Sequence, residues 1–477
     1  MKSFPAIPSP PPNERRETGL LLKLSAACLL VRSLCFLLSQ NIGWDAVTRS
    51  LTALEWAKHP FIVPPTGYPA QYGPLPIYLF GLGLKLYPDV YLVPRLINLL
   101  IGSACVIPFY LWVKTAFSSE TAVTASYLFV FYTLQAKSCV LAASEPLFIF
   151  CWLFSLYFFY RYQTAGEKEG DLLPAGFWLS LAGMCRYNGW LYIGIFGLIL
   201  LKSAATGNKL RTVSLFGTTA LLFPLLWMGA CLYSYGNPLY PLKFIRSDHL
   251  KIIRQLGGIG LFRRIYYLFF FPAVLGLSLS PPAFLESCKG IVSTIKQRRH
   301  REKLLIGGSM TAYLTWSAVV GGNFLLFSRF AMEAGVVLIP LALVRETKAY
   351  LVTTAAVSFV LLILGGHFLP GAAGRKLSSV SPIAELTPSQ KKVVRFIREK
   401  TSPGDRILLP HTLLWEEVEI RFYARHPNFV DSWNERQPPR YLIIRKGTGP
   451  VTRKEKPLSL VLDTPDFLIY KVAYDVK

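Results

Sequence analysis

Apolar runs long enough to cross a bilayer recur between residues 20 and 367, separated by short polar segments that are mostly basic. A span needs about 20 apolar residues, and the first such run, Leu20–Ser39, follows Arg15 and Arg16. It is longer than a signal-peptide core and no small-residue cleavage site follows it, so it reads as an uncleaved first span. Further spans are predicted at about 90–114, 120–136, 141–161, 173–186, 187–202, 212–233, 264–283, 304–321, 325–344 and 349–367. With the first they make about eleven, the short pair around Arg186 being readable as one kinked span or two. The predicted class is mostly α, a polytopic transmembrane helical bundle.

Two regions break this pattern. Residues 41–89 form an amphipathic first outer loop, in which Leu51, Ala53, Leu54, Trp56 and Ala57 suggest a short helix lying at the interface. Pro60, Pro64, Pro65 and Pro69 extend the chain after it, and Leu75–Tyr87 is too short to cross, so it reads as a surface or re-entrant helix. From residue 369 to 477 the chain turns polar and mixed. Thr387-Pro388 opens a helix through Lys400, and strand-like runs follow at Arg406–Leu409, Arg440–Lys446, Leu458–Leu462 and Phe467–Ala473. The expected organisation is therefore a cytoplasmic tail (1–18), a membrane module (19–368) and a small extracytoplasmic α/β domain (369–477).

Composition agrees with the membrane reading. Of 477 residues 52% are hydrophobic and 16% charged, against about a quarter charged in a soluble domain. The formal charge of +24 does not imply nucleic acid, because the basic residues punctuate apolar runs and form no continuous stripe. They concentrate in the predicted inside loops, above all in Lys296–Lys303, as the positive-inside rule requires. An odd span count with a cytoplasmic N-terminus then puts residues after 368 outside. Seven of the eight cysteines lie in or beside apolar segments, so neither a disulfide framework nor a zinc site is expected.

Carboxylates at the membrane are costly and usually functional. Asp45, Glu55, Asp89, Glu145 and Asp248 fall on the outer side and Glu333 within a span. Asp45 has Arg49 one helical turn later, which reads either as a helix cap with an i,i+4 ion pair or as chemistry. Glu145, in Ser144-Glu145-Pro146, is either a structural hydrogen-bond partner or the second polar wall of a cavity facing Asp45. Arg329 and Glu333 are four apart and are expected to pair, although Arg329 could also meet an anion. Arg32, inside the first span, must face protein or water. The outer loop 234–263 sets Lys243 and Arg246 among aromatics, which suits either a phosphate or ordinary lipid headgroups. The six histidines show no metal spacing and nothing resembles a soluble-nucleotide site.

Taken in order, the first span, Gly43-Trp44-Asp45 with Arg49, His59-Pro60, Tyr72-Gly-Pro-Leu75, Arg95, Ser-Glu145-Pro, Arg186, Gly236-Asn-Pro-Leu and Ser328-Arg329-Phe resemble the GT-C glycosyltransferases. The groups most alike are the protein O-mannosyltransferases, the lipid A aminoarabinose transferases and the Rgt-type bacterial enzymes, over roughly residues 19–350. The resemblance implies a multispan enzyme that transfers a sugar, with inversion, from a polyprenyl-phosphate carrier to an acceptor hydroxyl. Asp45 matches the family's first-loop catalytic carboxylate and Glu145 its second acidic position beside a proline. Residue 46 is Ala where the mannosyltransferases have a second acid, and residue 73 is Gly where many members have Pro. These departures leave open both the acceptor class (glycolipid, polysaccharide or protein) and the use of a divalent cation such as Mg or Mn.

The chemistry implied is simple. A carboxylate at Asp45 takes the acceptor's proton as the glycosidic bond breaks. Positive charge aimed at the departing phosphate assists, with Arg95, Lys243, Arg246 and Arg329 as candidates. Arg49, His59 and Tyr72 are candidates for positioning the acceptor or the loop. The expected setting is the multi-pass inner membrane of a bacterium. The competing class is a transporter or flippase of lipid-linked sugars, but the chain shows no inverted halves with matching broken helices.

Overall fold

The computed structural model of this chain describes residues 12–39, 44–64, 68–164, 169–203, 209–255, 258–297, 301–344, 348–364, 386–409, 420, 423–424, 429–430, 439–446 and 458–472. The predicted domain boundary near 368 and most of the N-terminal tail lie outside them. The first apolar run is α1 (Pro12–Leu38), and the first outer loop carries α2 (Trp44–Lys58), a 3-10 turn at Tyr68–Gln71 and α3 (Pro74–Leu86). Then come α4 (Val93–Ala104), α5 (Val106–Ala116), α6 (Ser119–Val130), α7 (Thr133–Cys139) and α8 (Glu145–Thr164). Next are α9 (Leu172–Cys185), α10 (Asn188–Ser203), α11 (Lys209–Ala220), α12 (Leu222–Tyr235) and α13 (Tyr240–Gln255). The membrane module closes with α14 (Leu261–Ser278), α15 (Pro281–Gln297), α16 (Arg301–Val319), α17 (Met332–Leu341) and α18 (Lys348–Leu364).

Several predicted spans are broken. Among the described residues, three helical stretches are each long and apolar enough to cross alone: Arg16–Leu38, Val93–Ala116 and Leu261–Ser278. The segment predicted at 212–233 is a pair, α11 and α12, bent by 50°. Its break has a local cause: Pro224 has no N–H to give to the preceding turn, and the freed Phe223 N–H donates to Ser180 Oγ at 3.0 Å. Arg186 divides α9 from α10, giving two helices rather than one kinked span. The stretch after residue 283, predicted as part of an inside loop, is helical as α15.

Arg32 is fully buried, donates from Nη1 to Gly102 O at 2.6 Å and lies over the Phe129 ring, the packed arrangement that an intramembrane arginine needs. The core of the bundle is aromatic, with Phe109, Trp112, Phe129, Phe148, Trp152, Phe159 and Phe196 all buried.

The polar C-terminal part begins with α19 (Pro388–Lys400), whose Thr387 and Gln390 form a reciprocal capping box. Its sheet holds β1 (Ile407–Leu408), β2 (Phe429–Val430), β3 (Tyr441–Arg445), β4 (Leu458–Asp463) and β5 (Phe467–Val472) in the order β2-β1-β3-β5-β4. β1 pairs parallel with β2 and β3, and β5 antiparallel with β3 and β4. Val393, Val394 and Ile397 of α19 share a core with Ile407, Ile443 and Ile469. Val47 of α2 belongs to the same core, and Tyr91 packs against Tyr423. The small domain therefore sits on the first outer loop, two residues from Asp45.

Candidate active site

The site is built around a break in the helices. Between α7 and α8 the chain leaves helical geometry over Val140–Ser144, and four successive carbonyls lose their intrahelical donors. In an apolar interior such groups must be satisfied by side chains. Arg95 Nε donates to Val140 O at 2.7 Å, Asn98 Nδ2 to Leu141 O and Ala143 O at 2.7 Å each, and Arg49 Nη1 to Ala142 O at 2.8 Å. Three side chains thus hold the segment that delivers Glu145.

Glu145 opens α8, with Ser144 before it and Pro146 in the first turn. Proline is tolerated there because its missing N–H is one the helix cannot use, and the carboxylate sits at the positive end of the helix dipole. Glu145 is buried and paired with Arg186, which also reaches Ser144 Oγ at 3.4 Å. Arg186 owes its place to the tight α9–α10 junction, where its N–H closes back on Ala182 O.

Asp45 stands in the first turn of α2. Tyr72 Oη donates to Asp45 Oδ1 at 3.0 Å, and Arg329 Nη1 pairs with Asp45 Oδ2. Arg329 Nε lies 3.8 Å from Glu145 Oε1, so one guanidinium spans both carboxylates. Arg49 lies over the Tyr72 ring, 4.6 Å from its centroid. Burial alone would raise the Asp45 carboxyl, but Arg329, Arg49 and the Tyr72 hydroxyl outweigh it and bring it down to about 2. Asp45 is therefore a carboxylate at any physiological pH.

Gly73 has a purpose here. A Cβ at this position would overlap the Met184 and Cys185 backbone, so only glycine lets the Tyr72 turn approach the end of α9. That approach sets Tyr72, which holds Asp45, beside Arg186, which holds Glu145.

Two expectations are corrected. Arg329 does not pair with Glu333, because it lies in a 3-10 turn, Ser328–Ala331, ahead of α17 and not one helical turn from Glu333 on a common face. Its partners are Asp45 and Glu145, while Glu333 accepts from Asn188 Nδ2 at 3.1 Å. Nor do Asp45 and Arg49 form the i,i+4 pair, since the Arg49 Nη1 hydrogen bond goes to Ala142 O.

The remaining candidates lie elsewhere. Arg95 is buried between the Phe36 and Tyr91 rings, with N–H groups on Val140 O and Ser39 O. Lys243 and Arg246 are exposed on α13, and His59 is exposed beyond the end of α2. The cluster thus gathers Asp45, Arg49, Tyr72, Glu145 and Arg329 from the sequence candidates and leaves out Arg95, Lys243, Arg246 and His59.

In the sequence Arg186 stands only as a family landmark and a span boundary, yet a lone arginine between two apolar runs is itself a signal. His249 has no metal spacing in the sequence. It lies on the inner side of α13, accepts the Leu325 N–H at Nδ1 (3.3 Å) and stacks on Phe324 with centroids 4.1 Å apart. Burial, then Arg329, lowers it to about 4, so it is neutral.

The chain matches, over residues 69–228, the sequence family described as dolichyl-phosphate-mannose-protein mannosyltransferase. That segment contains Tyr72, Arg95, Glu145 and Arg186. No curated protein sequence matches the chain. Among solved structures, ArnT from Cupriavidus metallidurans bound to undecaprenyl phosphate is 14% identical, covering 95% of this chain and 98% of that one with a TM-score of 0.66. Its apo state gives 12% and 0.62 over the same shares. An oligosaccharyltransferase from Archaeoglobus fulgidus is 12% identical over 89% of this chain and 69% of that one, with a TM-score of 0.51. At such identities these structures establish the fold alone. The chain is an integral membrane protein with the fold of these enzymes, and its residues 69–228 match a mannosyltransferase family.

Proposed function

We propose that this protein moves a sugar from a polyprenyl-phosphate carrier to an acceptor hydroxyl at the outer face of a bacterial inner membrane, with inversion and with Asp45 as general base. The observation that carries the reading is the Asp45–Arg329–Glu145 bridge. It gives a base, a cation for the phosphate and a second carboxylate that orients the cation. Three guanidiniums (Arg49, Arg186, Arg329) face two carboxylates (Asp45, Glu145), leaving one positive charge in excess. A phosphodiester donor neutralises that excess, and the charge that develops on the departing phosphate meets fixed cations.

In the reaction the acceptor oxygen attacks the anomeric carbon. The bond from that carbon to the phosphate oxygen breaks with its electron pair going to the phosphate, and the acceptor proton passes to Asp45. A phosphate is a weak base, so no general acid is needed. That the fold is shared with a protein whose structure was obtained with undecaprenyl phosphate supports a prenyl carrier here.

The residues present do not suit a divalent cation. Both Asp45 oxygens accept hydrogen bonds, Glu145 is paired with Arg186, and three arginines would repel a dication. Among the described residues no three His, Cys, Asp or Glu side chains converge on a common point.

The test is glycolipid mass spectrometry on a deletion strain complemented with wild type or Asp45→Asn at matched expression. Wild type should restore a sugar-sized mass step and Asp45→Asn should not. Equal restoration by both would remove Asp45 from catalysis.

A further inference from the structure

As the site stands, its base is occupied. Tyr72 Oη holds one Asp45 oxygen and Arg329 Nη1 the other, so both oxygens are already engaged, one of them by a full positive charge that weakens the carboxylate as a base. Arg329 itself is incompletely satisfied. Its Nε is buried without a hydrogen-bond partner, 3.8 Å from Glu145 Oε1, although about a third of its side chain is open to solvent. A buried N–H with no acceptor is costly, and a phosphate oxygen would supply one if the guanidinium turned toward its open side.

Neither carboxylate is stranded if Arg329 turns away. Glu145 keeps Arg186, and Asp45 keeps the Tyr72 hydroxyl with Arg49 close by. The move is also mechanically easy. Arg329 sits in a four-residue 3-10 turn that follows an irregular stretch, with its guanidinium between the Phe327 and Phe330 rings, 5.2 and 5.4 Å from their centroids. Those rings guide a swing and accept no hydrogen bond in competition.

We infer that Arg329 exchanges partners during the reaction: it sequesters Asp45 in the empty enzyme and releases it when the donor phosphate takes the guanidinium, so that substrates bind in order, donor first. The inference rests on the donor class proposed above. It makes Arg329 a positioning residue for the base as well as a phosphate ligand. On transfer the phosphodiester monoanion becomes a monoester of higher charge, which holds Arg329 more tightly as Asp45 receives its proton. When polyprenyl phosphate leaves, Arg329 returns and the Asp45 proton goes to solvent.

The full-length protein in lipid nanodiscs tests this with a hydrophobic carbodiimide, which modifies only protonated carboxyls. Labelling of the Asp45 peptide is read by mass spectrometry at pH 5.5, without lipid, with undecaprenyl phosphate, and with undecaprenol as a chain-only control. Binding is followed separately by the thermal transition. His249, Arg49, Tyr72 and Arg329 are the groups facing Asp45, and only Arg329 is expected to move. Undecaprenyl phosphate should raise Asp45 labelling about tenfold or more over undecaprenol, the effect of at least one unit in its pKa. Arg329→Gln should label strongly with no lipid and respond little to it. If undecaprenyl phosphate binds and Asp45 labels no more than with undecaprenol, the exchange is wrong while the donor class stands. If undecaprenyl phosphate does not bind, the donor class fails and the exchange fails with it. The wild-type comparison needs no variant to fold.

Discussion

Arg329 reaches across 284 positions of sequence to pair with Asp45, joining the turn before α17 to the first helix of the outer loop. Neither side chain could hold its place alone. Asp45 is partly buried, and a carboxylate withdrawn from water without a compensating partner is pushed toward its neutral form. Arg329 would otherwise present an unneutralised guanidinium at the membrane boundary. Their pairing means that the outer loop and the far end of the bundle come together as one site, with Glu145 between them.

Asp45→Asn keeps the shape and removes the base. Loss of general-base catalysis is expected to lower kcat by about 10²–10⁴-fold, with undecaprenyl phosphate still binding. Turnover and lipid binding measured on the same preparation separate the two effects, and lost binding would instead make Asp45 a structural anchor.

Arg186→Leu leaves Glu145 buried with only the more distant Arg329 and Arg49 to offset it. Breaking a buried pair from one side costs about 3–5 kcal/mol, so the thermal transition should fall markedly. Adding Glu145→Gln should restore much of that stability without activity. A double variant no more stable than Arg186→Leu would show that Arg186 acts through something other than this pair.

Asn98→Leu strips the donors from Leu141 O and Ala143 O together. Each unsatisfied buried carbonyl costs about 1–3 kcal/mol, and the segment that delivers Glu145 loses its fixation. Activity should therefore drop although Asn98 touches no reacting atom. An active, destabilised variant would show that Arg95 and Arg49 hold the break without it.

The acid sensitivity of the outer region has two origins. His249 is lowered to about 4, so the unfolded chain takes up its proton first as the pH falls. Its contribution is intact above pH 6.5 and is lost progressively as pH drops toward 4. Asp45, lowered to about 2, contributes above its ordinary value near 4 and loses that contribution only below it. Thermal transitions of wild type and His249→Gln between pH 7 and 4.5 should converge as the pH falls; parallel curves would exclude His249.

Chelation should leave the rate unchanged, because the two carboxylates that a cation would need are committed to arginines. Turnover with and without EDTA in metal-depleted buffer decides this, and a loss restored by Mg or Mn would overturn it.

The membrane-spanning helical class, the polar C-terminal α/β domain and the weight on Asp45 and Glu145 were all legible in the chain. Each depends on local composition or on the cost of placing a charge in an apolar run, which a linear sequence records directly. Gly73 reads as a mere departure from a family motif until the end of α9 comes to lie against it. Which arginine serves which carboxylate was not legible. Arg329 and Glu333 have helical spacing, but a 3-10 turn removes it; Arg95 looks like a phosphate ligand, yet its N–H groups cap the carbonyls of a broken helix. Side-chain partners at such a site are chosen by distance between segments remote in sequence, and by which buried donors and acceptors would otherwise go unmet. Only the packed tertiary structure decides that.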